Sequence, residues 1–138
     1  MRLLLDFVYL LDVYMSVAGT ASSRGFVSAE AFPKEDNVLE LKGVFHPALA
    51  HPVSNDLNVT GDCNVIFLTG ANMAGKSTFM KTLGIAVFLA HLGFPVPAKS
   101  MRFSVRDGLF TTINLPDALN RGYSHFYAEV RRLRKVAQ

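Results

Sequence analysis

The segment Gly70-Ala71-Asn72-Met73-Ala74-Gly75-Lys76-Ser77 constrains this chain more than any other feature. It fits the pattern G-x-x-x-x-G-K-[ST] and stands between a continuous apolar run, residues 64–69, and a stretch of helical composition, residues 76–92. The run is rich in β-branched and aromatic side chains and is bounded by Gly61-Asp62 and Gly70, which predicts a buried central strand of a parallel sheet. Gly93, Pro95 and Pro97 predict the stop of the helix. Strand, glycine loop and helix in that order suit a phosphate cradle. Glycines at both ends let the backbone curl so that successive N–H groups point inward, and the helix aims the positive end of its dipole at the same place. Lys76 adds a full charge at the β/γ-phosphates, and Ser77 offers a hydroxyl to Mg²⁺, an ion that keeps waters and takes few protein ligands.

A chain of 138 residues has room for one domain, or part of one. Half of its residues are apolar and 18% are charged, which excludes a disordered tail. The net charge of +3 is compatible with polyanionic ligands and too small to argue for a protein that coats nucleic acid. Cys63 is the single cysteine, so an internal disulfide is excluded; with no His/Cys cluster around it, a buried, inert thiol is expected.

The amino terminus mimics a signal peptide: Arg2, an apolar run over residues 3–17, then Ala18-Gly19-Thr20-Ala21. Asp6 and Asp12 spoil that reading, because an ionised carboxylate inside such a stretch costs several kcal/mol. On a helix, Arg2, Asp6, Tyr9, Asp12 and Ser16 form one narrow polar stripe on an otherwise apolar rod. Residues 1–18 therefore read as the end of a long helix from a larger parent, with membrane association as the lesser reading. Residues 19–37, rich in Gly, Ser, Ala and Pro, read as a linker. Beyond it, strands are predicted over residues 38–45, ending at His46-Pro47, around residues 57–59, and over residues 109–113. Ser124 can cap a last helix whose apolar residues Phe126, Val130, Leu133 and Ala137 step by four, three and four. Arg131, Arg132, Arg134 and Lys135 lie opposite that stripe, as a solvated face would. His91 ends the helix after the glycine loop, where an imidazolium would complement the dipole.

A P-loop hydrolase also needs an acid after an apolar strand to hold Mg²⁺ through water, and a group to orient the attacking water. No such strand follows Lys76, and Asp6 precedes the loop on the amphipathic helix. The chain as given is expected to bind nucleotide and to hydrolyse it negligibly.

Residues 69–80, Thr-Gly-Ala-Asn-Met-Ala-Gly-Lys-Ser-Thr-Phe-Met, resemble the loop of MutS-type mismatch-repair ATPases, which reads TGxNMxGKST. The Asn72-Met73 pair makes the likeness more specific than the general pattern. His46-Pro47, Asn55-Asp56-Leu57, Pro95-Val96-Pro97-Ala98 and Ser124-His125-Phe126-Tyr127-Ala128-Glu129 match in order, so the resemblance spans about residues 38–136. It implies an α/β, P-loop NTPase fragment of the ABC-like, MutS type, with residues 1–18 resembling the lever helix and residues 38–138 the front of the ATPase domain. It implies nucleotide contacts from residues 70–77 together with Thr78 and Val53, and Mg²⁺ at Ser77. It also implies a homodimer, or a pair with a related subunit, that sandwiches ATP or ADP, with Ser124 reaching the γ-phosphate held by the opposite subunit. DNA would be bound by other domains of a cytoplasmic parent. Two departures stand out: Pro52 occupies a place where the family usually sets an aromatic beside adenine, and the Ser124 segment looks closer to divergent MutS-related proteins. The alternatives are a non-catalytic module that uses nucleotide to clamp a dimer and an ABC transporter nucleotide-binding domain; the latter is disfavoured because no glutamine precedes Gln138.

Overall fold

The computed structural model describes residues 2–113. Its elements run α1 (Arg2–Arg24), β1 (Glu30–Phe32), a 3-10 turn (Lys34–Asp36), β2 (Leu39–Val44), β3 (Asn55–Val59), α2 (Lys76–His91) and β4 (Ser100–Ser104). The chain divides into two compact units, Met1–Asp107 and Gly108–Gln138.

In the first unit the four strands form one sheet in the order β1-β4-β2-β3. β2 runs antiparallel to both neighbours, while β1 and β4 are parallel. The alternation that predicted β2 comes from its place at the centre: Leu41 is fully buried, Lys42 faces out, and Val44 is fully buried. Met101 and Phe103 of β4 join them, and α2 lays Ala86, Val87 and Ala90 on the same core. These α2 residues step by one and three, the narrow stripe by which a helix packs on a sheet.

β2 carries a bulge between Leu41 and Val44. Gly43 sits there at φ +59°, and a Cβ at this position would lie 2.8 Å from the Lys99 side chain, so glycine answers both the backbone and the space. The Gly43 N–H, freed from the ladder, donates to Asp56 Oδ1 at 2.6 Å. Asp56 thereby ties β3 to the bulge.

Several sequence expectations are corrected. The helix predicted to end near residue 18 continues to Arg24, and the supposed linker contains β1 and the 3-10 turn. β4 fell in a stretch that no pattern singled out. Residues 64–69 form no strand: Val65 and Phe67 are 82% and 90% exposed, and no described strand pairs with them. An apolar run states a preference for burial, but a strand also needs ladder partners, and the described sheet ends at β3. Cys63 is exposed rather than buried, because the turn that carries it lies outside the core. In the second unit, residues 109–113 do not form the expected strand. The helix capped by Ser124 and the basic patch near its end fall outside the described residues.

α1 has no buried residue and is long and apolar enough, by length and composition, to cross a membrane. Asp6 and Asp12 are exposed, and so are the apolar residues between them, so exposure does not set the polar stripe apart.

Candidate functional site

α2 begins directly at Lys76, and the loop before it turns on residues with left-handed backbone. Gly75 (φ +87°) occupies the N-cap position and Gly70 (φ +152°) opens the loop. Both angles suit glycine, which carries no Cβ penalty there. Met73 is also left-handed, at φ +63°, with its side chain fully exposed. The Ala74 N–H donates to the Ala71 carbonyl at 3.3 Å, closing the turn, and the Phe79 N–H donates to the Gly75 carbonyl at 2.8 Å as the first bond of the helix. No side chain caps α2, so the N–H groups of its first turn have no cap from the chain itself.

The Lys76 ammonium folds back along the loop and donates to the Gly70 and Ala71 carbonyls, each at 2.6 Å. A single cation therefore lies against the start of the loop while the helix dipole reaches its end. Positive charge and unpaired N–H groups are gathered on one short stretch of backbone, which can bind an anion.

This stretch borders a cavity of about 600 Å³. Gly75, Lys76, Thr78 and Phe79 form one side; the connection between β2 and β3 contributes Leu49, His51 and Val53 to the other. Of the expected nucleotide-contacting residues, Ala74, Gly75, Lys76, Thr78 and Val53 share this cavity. Gly70 and Ala71 join them through the Lys76 bonds. Asn72, Met73 and Ser77 are exposed beside the cavity lining rather than part of it. Ser124 is outside the described residues.

Sequence reasoning missed Leu49 and His51, because neither belongs to a periodic segment and only the fold brings their connection to the loop. It also treated Asn55-Asp56-Leu57 only as a point of likeness. Asn55 and Leu57 line the cavity, while Asp56 Oδ1 is committed to the Gly43 N–H. His46 lines the cavity too, but its Nδ1 accepts the Ala48 N–H at 3.3 Å, which makes it part of the turn.

At the far end of α2, His91 Nδ1 lies 2.8 Å from the Val87 carbonyl and Nε2 accepts the Arg106 N–H at 3.0 Å. Both ring nitrogens of His91 are thus engaged by backbone groups, which ties the end of α2 to the segment after β4. Among the described residues no group of three His, Cys, Asp or Glu side chains could hold a metal ion. A hard cation at this loop would rest on the Ser77 hydroxyl and on oxygens of the ligand itself.

The described unit is thus a small mixed α/β domain: a four-stranded sheet, a helix on its core, and a glycine-rich loop opening that helix. The family model for MutS domain V matches residues 66–138, more than half of the chain, and the chain belongs to that family. It is similar to the DNA mismatch repair protein MutS of Symbiobacterium thermophilum, 38% identical over 133 residues, covering 91% of this chain and 15% of that protein. The DNA mismatch repair protein MutS of Thermodesulfovibrio yellowstonii is 34% identical over 132 residues, covering 87% and 15%. That of Shouchella clausii is 33% identical over 126 residues, covering 87% and 14%. The chain spans about one seventh of the length of these relatives.

Proposed function

We propose that this chain is the ATP–Mg²⁺-binding front part of a MutS-type ATPase domain with a P-loop NTPase fold. The observation that carries the reading is the Lys76 ammonium held over the Gly70 and Ala71 carbonyls at the uncapped start of α2. Residues 70–77 would bind the triphosphate through backbone N–H groups, with Lys76 neutralising its charge. Thr78 and Val53 border the space the rest of the nucleotide would fill. Ser77 would give its hydroxyl to Mg²⁺, which neutralises the phosphates when bound.

The family relationship supports assigning the intact parent to DNA mismatch repair or a related process in the cytoplasm. DNA would be engaged by other regions of that parent. Two copies, or one copy and a related subunit, would close on ATP, with Ser124 approaching the γ-phosphate held by the partner. Hydrolysis belongs to that assembled parent. Lys76 and Ser77 position phosphate and metal, but no described residue is placed to activate water.

Calorimetry of the full chain with ATP and Mg²⁺ tests the reading. Lys76→Ala removes the loop's only full charge and should weaken binding about tenfold or more, the loss expected for charge-assisted contacts. Equal affinity for both proteins would overturn it.

A further inference from the structure

Packing does not account for Met73. Methionine commonly fills gaps in an apolar core, as Met101 does beside α2. Met73 is instead fully exposed, on a left-handed backbone (φ +63°) that residues with a Cβ seldom adopt. The residues around it are the ones that gather hydrogen-bond donors. Gly75, two positions on, is the N-cap of α2, and no side chain caps the N–H groups that follow it. The Lys76 ammonium spends two of its three N–H donors on the Gly70 and Ala71 carbonyls, which leaves the third open. A thioether sulfur is a weak acceptor and does not compete for such donors. Its sulfoxide is a strong one.

We infer that Met73 is a redox-modification site of the glycine loop: a peroxide converts its thioether to the sulfoxide, whose oxygen then occupies donors that otherwise bind phosphate. The inference rests on the phosphate reading given above and adds to it a way of switching the site off. In the forward step one peroxide oxygen passes to sulfur; the O–O bond breaks, an S–O bond forms, sulfur gives up two electrons and the rest of the peroxide leaves as water. The new oxygen carries partial negative charge at the end of a side chain with three rotatable bonds, and can fold back over the start of α2. Tethered beside the donors, it competes with free phosphate at high effective concentration. A dithiol and the two methionine sulfoxide reductases reverse the step, the oxygen leaving as water while the thiols become a disulfide. Exposure decides which methionines react. Met101 is shielded in the core, whereas Met15 and Met80 are exposed but stand within α1 and α2, outside the loop.

The test measures ATP–Mg²⁺ affinity of the full chain by calorimetry before and after mild hydrogen peroxide, with mass spectrometry to locate the added oxygen. Every protein carries Cys63→Ser, because Cys63 is exposed and its thiol would also be oxidised. Oxidation at Met73 should weaken ATP about tenfold, the loss expected for one charge-assisted hydrogen bond, and the two reductases with dithiothreitol should restore it. Met73→Leu should keep its own untreated affinity through the same treatment. A chain with Met15→Leu and Met80→Leu should lose affinity as the starting chain does. The assignment is overturned if Met73 stays unoxidised while Met15 reacts, if oxidised Met73 leaves ATP affinity unchanged, or if Met73→Leu loses as much as the starting chain. In each of those cases a loss of binding in untreated Lys76→Ala would leave the phosphate reading standing. If untreated Lys76→Ala binds ATP as tightly as the starting chain, the phosphate reading fails and the inference fails with it.

Discussion

Leu41 and Met101, on paired strands, are 0% and 2% exposed, whereas Val65 and Phe67, in a run at least as apolar, are 82% and 90% exposed. Both regions lie in the same unit. What separates them is pairing: β2 has a ladder neighbour on each side, and residues 64–69 have none among the described residues. Apolar composition measures how much a segment would gain from burial. It does not supply the hydrogen-bond partners without which the backbone stays in water. α1 repeats the lesson on a helix, where the backbone is satisfied internally and every side chain between Arg2 and Arg24 can remain unburied without loss of secondary structure.

The contrast breaks most visibly in the core. Leu41→Ala deletes a fully buried side chain beneath α2 and should cost about 3 kcal/mol in denaturant unfolding. Phe67→Ser, in contrast, should change stability by no more than about 0.5 kcal/mol. Similar losses for the two variants would mean that residues 64–69 are packed and that the comparison is mistaken. An intermediate effect is expected at the bulge. Gly43→Ala forces an alanine to φ +59° against the Lys99 side chain and should cost about 1–2 kcal/mol, most of it from backbone strain.

The smallest effect is electrostatic and belongs to the paired region alone. Lys42, by hydrogen bond and by charge, holds the Glu40 carboxyl below its ordinary value of 4.5, and Arg102 adds to the effect from β4. Because the folded-state value is depressed, Glu40 contributes stability above pH 4.5 that is lost as the pH falls through the lower, folded value. Glu40→Gln should therefore flatten the acid side of the stability profile and leave neutral pH nearly unchanged, as suits an exposed pair. An identical acid limb in both proteins would show that the cluster does not couple to folding.

Local chemistry was legible in the sequence and tertiary company was not. The glycine loop, the start of α2 at Lys76 and its stop near Gly93 follow from residue types alone, because caps, dipoles and left-handed glycines act within a turn. β2 was legible from its alternation. β4 was not, since Ser100-Met101-Arg102-Phe103-Ser104 is short and follows a proline-rich turn with no separate signal. The error over residues 64–69 and Cys63 has one cause: burial was inferred from side-chain type, whereas it is decided by what pairs and packs nearby. Within the site, Lys76 and Gly75 were readable as a motif. His51 was not, because only folding carries the β2–β3 connection to the loop.

Amide hydrogen exchange tests the central claim, that the backbone of the glycine loop is an anion cradle. Addition of ATP with Mg²⁺ to the full chain should slow exchange at residues 71–77 by about tenfold or more while leaving the ladder amides of β2 and β4 unchanged. Protection that appears elsewhere, with residues 71–77 exchanging as before, would contradict the account.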